Sequence, residues 1–428
     1  MNTWNLLRIC YFRQELVLLS RIRTRRITGV VSMRRIDLKK VSVARSNTIR
    51  DINRQIVLNY VREKGPISRA DIARETKLQR STVSLIVGEL MTAGLIKEIF
   101  GESSGGRPPA LLTLRTARPV VIGVDLGTVK TVVATCDLTG RVIEREEFRT
   151  DPDVEITTSQ IIDSVQRLAG ENGNSIEGIG ISIPALVDAD EGVVLYSPHH
   201  KWRRPKIVER IAMATGLPVK ADNDANAAAL GELWFGRPEI RNVRNFVLVF
   251  IENGIGTGIV FDGQIYRGNG GVAGEFGHMR IGSDAPVACA TGSRECWEAF
   301  ASERAALGRY LKLNGNKDRT NPISFEELIE LAMAGEKKAL AALKETAHYI
   351  GIGIGNLIQG LSPEVIVVGG TIVSAWLLVS DEIEFAAEAG LCQGTPEVPI
   401  LASSLGSEPT LMGAFSLVLA DMFGSVSI

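Results

Sequence analysis

The 428-residue sequence predicts an α/β fold preceded by a small helix-turn-helix domain. Three observations support this prediction. Residues 1–118 are basic and residues 119–428 are acidic, although the whole chain has a net charge of −1. The basic part contains short amphipathic helical patterns separated by turns. In the acidic part, apolar strands alternate with helical patterns, and glycine-rich turns lie at the strand ends.

Composition indicates a globular protein with two or three domains. Hydrophobic residues make up 45% of the chain and charged residues 23%. No apolar run reaches the roughly 18 residues that a membrane helix needs. The lack of such a run predicts no membrane partner. The five cysteines are too few and too scattered for a secreted disulfide framework, which predicts a cytoplasmic location.

The basic character has two parts. Residues 1–32 carry six arginines and one glutamate, with no cleavage site or long apolar core typical of a signal peptide. They are either a disordered basic arm or an untranslated stretch that precedes a start at Met33. Residues 33–118 carry 17 Lys/Arg against 8 Asp/Glu. A basic front on an acidic body predicts that the front meets a polyanion.

A helix-turn-helix is predicted within this basic region. Apolar residues recur at helical spacing over Asn47–Val61, and Gly65-Pro66 ends that helix. Ser68 caps a short helix, Arg69–Thr76. After a tight turn, Arg80–Ala93 forms the recognition helix, whose first residues would meet base edges. The residues expected to contact DNA there are Arg80, Ser81, Thr82 and Ser84.

Two predicted strands, Leu95–Ile99 and Ala110–Leu114, flank the polar loop Gly101–Gly106 and form a wing. Arg107 on this wing would reach phosphate or the minor groove. Residues 33–115 are therefore predicted to be a winged helix-turn-helix domain that binds operator DNA. The alternative is a small helical bundle used for protein contacts.

The stretch Val219–Gly236 predicts a strand that passes into a helix. Asn223 and Asp224 stand at the junction, beside the unpaired N–H groups of the helix N-terminus. An amide and a carboxylate there can hold a hydroxylated ligand, and the carboxylate can take a proton from it. The alternative is an Asx turn that only caps the helix.

Glycine-rich turns follow three other predicted strands and can approach phosphate. They are Asp125-Leu126-Gly127-Thr128, Asn253–Gly258 and Gly369-Gly370. The segment Gly271–Ser302 adds two carboxylates, a histidine and two thiols, which are Glu275, Glu298, His278, Cys289 and Cys296. The histidine and thiols suggest a tetrahedral zinc site that lacks a fourth soft ligand. A hydrogen-bonded core pair is the alternative for Glu275 and His278.

These motifs, in this order and spacing, resemble the ROK family (repressors, open reading frames, kinases) over residues 33–428. The resemblance implies a two-lobed, actin-like (ribonuclease H-like) ATPase fold behind the winged helix-turn-helix. Residues 119–235 would form lobe 1, residues 236–405 lobe 2, and residues 406–428 a C-terminal helix that packs back on lobe 1.

The resemblance also implies roles for individual residues. The family's sugar-binding positions fall on Asn223, Asp224, Glu275, His278 and Glu298. Asp224 would be the catalytic base if kinase activity remains. The family's zinc motif falls on His278, Cys289 and Cys296, but Thr291 replaces a cysteine ligand. A neutral hydroxyl is a poor substitute for a thiolate, so zinc binding stays open and His278 would otherwise serve the sugar alone.

The nucleotide side departs further from the family pattern. The corresponding positions are Asp125, Gly127, Gly254, Gly256, Gly258, Gly369 and Gly370. Around them, Thr128 replaces a glycine, Val129 replaces a hydroxyl residue and Asn253 replaces a threonine. A side chain at a glycine position hinders the approach of phosphate to the backbone. We therefore expect a protein that binds sugar but handles ATP poorly.

The sequence thus predicts a sugar-responsive transcriptional regulator, a repressor that a monosaccharide releases from operator DNA. Recognition helices must reach two half-sites, which predicts a homodimer or homotetramer. One alternative is an ATP-dependent sugar kinase with an attached DNA-binding domain. A third reading is a regulator that responds to a phosphotransferase protein instead of a free sugar.

Overall fold

The computed structural model describes residues 46–101, 108–116, 118–170, 176–240, 243–315 and 323–423. Asp51–Ile428 form one compact unit. The predicted α/β fold with an N-terminal winged helix-turn-helix is confirmed. Among the described residues, no helix is long and apolar enough to cross a membrane.

Within the described residues, the N-terminal domain contains three helices and a two-stranded antiparallel sheet. Its elements are α1 (Ser46–Lys64), α2 (Arg69–Thr76), α3 (Arg80–Thr92), β1 (Ile96–Phe100) and β2 (Ala110–Leu114). The Ser68 side chain accepts a hydrogen bond from the Asp71 N–H and caps α2. The predicted recognition helix is α3, and its buried apolar residues are Val83, Ile86, Val87 and Leu90. The predicted arm, residues 1–32, lies outside the described residues.

The first large sheet has five strands in the order β10-β6-β3-β4-β5. The elements of this region are β3 (Val121–Leu126), β4 (Lys130–Cys136), β5 (Val142–Arg149), α4 (Val154–Ala169), β6 (Gly178–Ile183), β7 (Leu186–Asp188), β8 (Val193–Ser197), β9 (Trp202–Arg203), α5 (Ile207–Thr215), β10 (Val219–Asn223) and α6 (Asp224–Phe235). Strands β3, β6 and β10 are parallel, whereas β3, β4 and β5 pair antiparallel.

The second large sheet has the order β13-β12-β11-β14-β15. The elements of this region are β11 (Phe246–Ile251), β12 (Ile255–Phe261), β13 (Gln264–Ile265), α7 (Trp297–Ala301), α8 (Glu303–Leu313), α9 (Phe325–Met333), α10 (Lys337–Leu361), β14 (Val365–Gly370), α11 (Trp376–Ala389), β15 (Ile400–Ala402) and α12 (Pro409–Phe423). Short 3₁₀ turns cover Pro238–Ile240, Asn269–Gly271, Glu275–His278 and Thr371–Ala375. Antiparallel β11, β12 and β13 are followed by parallel β14 and β15. Both sheets therefore repeat one strand order, which gives two related lobes.

The last helix, α12, packs on the first sheet and on α6. A side chain at Gly123 of β3 would meet the Phe415 ring at 2.6 Å, and one at Gly180 of β6 would meet the Ala414 carbonyl oxygen at 1.8 Å. Gly413 approaches the backbone of Ala227 in α6 in the same way. Gly123 and Gly180 let α12 lie close to the sheet, and Gly413 lets α12 and α6 lie backbone to backbone.

Candidate functional site

The carboxyl ends of the three parallel strands in the first sheet place polar side chains side by side. Asp125 pairs with Ser182 across β3 and β6, and Ser182 pairs with Asp222 across β6 and β10. Asn223 and Asp224 follow directly at the start of α6. Carboxyl ends of parallel strands are where ligands bind in α/β sheets.

Asn223 caps α6. Its Oδ1 accepts hydrogen bonds from the N–H groups of Ala225 and Asn226 at 3.0 and 3.3 Å. Its Nδ2 donates to the Ala185 carbonyl at 3.1 Å. The Asx turn that the sequence allowed as an alternative is therefore formed at Asn223. It orients the first turn of α6, which begins with Asp224.

Asp224 is in an environment that opposes ionisation. Burial, followed by the charges of Asp125 and Glu275, raises the pKa of Asp224 to about 7, although the Ala225 N–H partly offsets this. Burial likewise raises the pKa of Asp125 to about 6, despite a 2.8 Å hydrogen bond from the Thr410 hydroxyl of α12. A carboxylate with a pKa near neutrality can both accept a hydrogen bond and take up a proton.

The second lobe contributes the other predicted sugar-binding residues. Glu275 and His278 lie on one 3₁₀ turn, with 3.8 Å between the Glu275 Oε2 and His278 Nε2 atoms. Glu298 is only 4% exposed. Its Oε1 accepts from the Ala290 N–H at 2.9 Å and from the Arg304 Nη2 at 3.0 Å. The charge of Glu275 acts on Asp224 and that of Glu298 acts on Glu275, so carboxylates of both lobes lie near one another.

The second glycine segment differs from the prediction. The sequence predicted a turn over Asn253–Gly258, but β12 begins at Ile255, so Gly256 and Gly258 lie inside a strand. A Cβ at Gly256 would be 2.7 Å from the Ala225 Cβ, and one at Gly258 would be 2.4 Å from the Ala225 carbonyl oxygen. These glycines let β12 pass close to α6, a packing role that sequence reasoning did not consider.

The other glycines of the predicted nucleotide side are also in close contacts within the chain. A Cβ at Gly127 would be 2.6 Å from the Lys130 carbonyl oxygen, and one at Gly254 would be 2.8 Å from the Glu298 Oε2. Gly369 and Gly370 belong to β14. Gly370 has a φ of 98°, and a Cβ at this position would be 1.8 Å from the Ile251 carbonyl oxygen. Internal packing therefore accounts for glycine at these positions without a bound phosphate.

A potential metal site is present in the second lobe. One ligand atom from each of His278, Cys289 and Cys296 lies within 4.8 Å of the others. The Thr291 Oγ1 is 3.0 Å from the Cys289 Sγ, so the substituted residue stands beside one of the three candidate ligands. The buried Nδ1 of His278 has no hydrogen-bond partner among the described residues. Two cysteine sulfurs and one imidazole nitrogen, three ligands in all, fit zinc with one open position.

The recognition helix presents its first residues outward. Arg80, Ser81 and Ser84 of α3 are exposed, and Thr82 is half-buried. Arg107 falls outside the described residues.

Two charged pairs in the site were not foreseen. Arg267 donates two hydrogen bonds, at 2.9 and 2.6 Å, to the Asp222 carboxylate, whose side chain is 1% exposed. Arg304 joins Glu298 to the turn before β12. The sequence pointed to Arg304 only through the charged pair Glu303-Arg304 shortly after α7. The contact between Arg304 and Glu298 forms only in the folded chain.

Fold and site define a two-lobed sugar-kinase-like protein that carries a DNA-binding domain. The model of the ROK family matches residues 121–421, and that of a winged helix-turn-helix DNA-binding domain matches residues 50–97. The chain belongs to the ROK family.

Relatives include both regulators and kinases. The chain is 31% identical to the xylose repressor of Bacillus spizizenii, over 91% of this chain and 100% of the repressor. It is also 31% identical to a glucokinase of Streptomyces coelicolor, but over 70% of this chain and 97% of the kinase. A crystal structure of a ROK family transcriptional regulator, a homolog of the E. coli MLC protein, has a TM-score of 0.75 at 28% identity and covers 88% of this chain and 97% of that one. Of these three proteins, the two that cover most of this chain are a repressor and a transcriptional regulator.

Proposed function

We propose that in this sugar-responsive transcriptional repressor a neutral monosaccharide binds between the two lobes and releases operator DNA. The observation that carries the proposal is the position of α6. Its first residue, Asp224, lies in the cleft, and Trp234 near its other end contacts the DNA-binding domain. A single helix therefore connects the ligand site with the DNA-binding part.

The cleft chemistry favours a neutral, hydroxyl-rich ligand. Asp224, Glu275 and Glu298 offer acceptors to sugar hydroxyls, and Asp125 lies close enough to Asp224 to raise its pKa. A phosphorylated sugar would bring further negative charge into this acidic environment and would be disfavoured. D-xylose is the first sugar to test, because proteins matched along their full length are xylose repressors.

The route to the DNA-binding domain runs through α1. The Arg62 guanidinium lies 4.5 Å from the centre of the Trp234 ring and 4.7 Å from that of Phe423. On the same face of α1, Gln55 and Asn59 donate hydrogen bonds to carbonyl groups at the C-terminal end of α12. Because α6 and α12 pack backbone to backbone, movement of either helix would displace α1 and the recognition helix.

Zinc would support the sugar site. We infer that His278, Cys289 and Cys296 hold the ion, which would cross-link the turn at His278 to the loop preceding Glu298. Metal content of the purified chain tests this directly. Zinc bound by the wild type and lost in Cys296→Ser supports it, and zinc retained in that variant contradicts it.

One observation favours a second candidate, residual sugar kinase activity. The pKa of Asp224, raised to about 7, suits a general base. The replacement of a glycine by Thr128 and of a hydroxyl residue by Val129 on the nucleotide side favours the regulator. The candidates separate in an assay for sugar-dependent ADP formation with Asp224→Asn as the control. We expect no turnover above that of the control variant.

A thermal-shift screen of the full chain against monosaccharides and their phosphates tests the effector. A sugar at ~100 times its dissociation constant stabilises the folded state by about 2.7 kcal/mol. We expect a neutral sugar to raise the midpoint of the wild type but not that of Glu275→Gln. A shift by phosphorylated sugars alone would contradict the proposal. We further propose a homodimer as the DNA-bound species, which light scattering of the complex would establish.

A further inference from the structure

Two residues that depart from the family's kinase pattern contact each other across the cleft. Thr128 follows β3 in the first lobe, and Asn253 lies in the turn between β11 and β12 in the second. The Asn253 Nδ2 lies 3.4 Å from the Thr128 Oγ1, a long hydrogen bond between the two glycine turns. Thr128, which was expected to hinder phosphate, therefore connects the lobes through Asn253.

Arg304 extends this contact to the sugar site. From the first turn of α8, its Nε donates to the Asn253 carbonyl at 2.7 Å and its Nη2 donates to the Glu298 Oε1 at 3.0 Å. A guanidinium has its donors in a fixed planar fork, so these two bonds set the orientation of Glu298 relative to the turn. The Ala290 N–H also donates to the Glu298 Oε1, which leaves the Glu298 Oε2 as the acceptor for a ligand.

The first lobe also approaches this pair through the loop between β8 and β9. Burial lowers the pKa of His199, while the charges of Glu298 and Arg304 act on it in opposite directions. In the same loop, His200 stacks on Trp202 with 4.2 Å between ring centres and pairs with the Ser197 hydroxyl at 3.0 Å. The contacts of His200 hold this loop of the first lobe in place. Its neighbour His199 lies near the Arg304–Glu298 pair of the second lobe.

We propose that Arg304 is a positioning residue for the effector, within a lobe-to-lobe latch made of Thr128, Asn253, Arg304 and Glu298. Within the latch, the Thr128–Asn253 contact joins the first two glycine turns, the segments expected to approach a nucleotide phosphate. A sugar hydroxyl on Glu298 stabilises the latched arrangement, so the sugar alone closes the lobes. The inference rests on the proposed sugar site.

The test is isothermal titration of the full chain with the sugar that gives the largest thermal shift among D-xylose, D-glucose and N-acetyl-D-glucosamine. We expect Arg304→Ala to weaken binding roughly tenfold or more, because a charged partner of a buried carboxylate is lost. Arg304→Lys should recover part of this loss. Thr128→Val, which removes only the hydroxyl, should weaken binding about threefold.

Controls separate positioning from general damage. Arg244→Ala removes an exposed arginine at the opposite end of β11 and should leave the affinity unchanged. In the Glu298→Gln background, Arg304→Ala should add little, since both changes act on one interaction. Wild-type affinity in Arg304→Ala, or additive losses in the double variant, would overturn the latch. Absence of binding by the wild type to all three sugars would instead contradict the proposed function, and the latch with it.

Discussion

Asp224 shows at the scale of one residue how the burial of an ionisable group lowers stability at high pH. Its pKa in the folded chain, about 7, lies above the ordinary value of 3.8, so the folded state binds the proton more tightly than the unfolded state. Stability associated with this group is present below about pH 4 and is lost as the pH rises through about 7. A pKa shifted in this way is typical of residues in functional sites.

Asp224→Asn should therefore stabilise the protein under alkaline conditions. The amide keeps the size of the side chain and cannot ionise. We expect a midpoint higher than wild type by roughly 2 °C at pH 8, and a smaller difference at pH 5. Scanning calorimetry at the two pH values measures it, with the exposed Asp262→Asn as the control. A variant less stable than wild type at pH 8 would show that ionised Asp224 stabilises the fold.

Thr291 provides a second prediction at this scale. Its hydroxyl lies 3.0 Å from the sulfur of Cys289, one of the three candidate ligands. Thr291→Cys should complete a four-ligand site and bind zinc more tightly than wild type in competition with a chelator. Thr291→Val, of similar size but without a donor or acceptor, is the control. Equal affinities of wild type and Thr291→Cys would place the ion elsewhere.

Single-residue roles were predicted from the sequence only where a local motif carried them. Asn223 and Asp224 stand at a strand-to-helix junction, and local spacing was enough to select them. Arg304 and Arg267 were not found, because their partners Glu298 and Asp222 meet them only through the tertiary fold.

At the scale of elements, the junction between α1 and the α6–α12 pair carries the proposed signal. The Arg62 guanidinium lies over the Trp234 and Phe423 rings, which contact each other, and burial lowers its pKa despite the neighbouring Glu63. Arg62→Ala should leave sugar affinity within about twofold of wild type and abolish most of the effect of sugar on DNA binding. Titrations with sugar and DNA measure both, and Arg244→Ala is the control. Full sugar response in Arg62→Ala would rule out this route.

The recognition helix α3 gives a prediction about DNA. Arg80 is exposed at its first position. If Arg80 contacts phosphate, Arg80→Ala should weaken binding evenly across sequences and reduce the slope of log affinity against log salt by about 1. If it reads a base, specificity at one position should relax instead. Unchanged binding in Arg80→Ala would place the DNA elsewhere.

Element boundaries followed the sequence best where caps are local. The helix Arg69–Thr76 was predicted with its observed bounds, since Ser68 caps it as expected. The segment Asn253–Gly258 was assigned wrongly, because glycines that allow β12 to approach α6 look like turn glycines in a sequence.

At the scale of the molecule, two sheets of identical strand order form the lobes, and α12 returns to the first of them. Periodicity alone predicted alternating strands and helices, but the lobes came from the family resemblance. Strands β11 and β14 are neighbours despite more than a hundred intervening residues, and no local pattern specifies such pairing.

The central claim is that a sugar in the cleft and DNA on α3 are coupled within one chain. The most direct measurement is the affinity of the full chain for a DNA duplex, selected by the protein from a random pool, with and without the sugar that raises the thermal midpoint. The account predicts that the sugar weakens DNA binding, that DNA weakens sugar binding by the same factor, and that Glu275→Gln abolishes both effects. Equal DNA affinity with and without a sugar that demonstrably binds would contradict it.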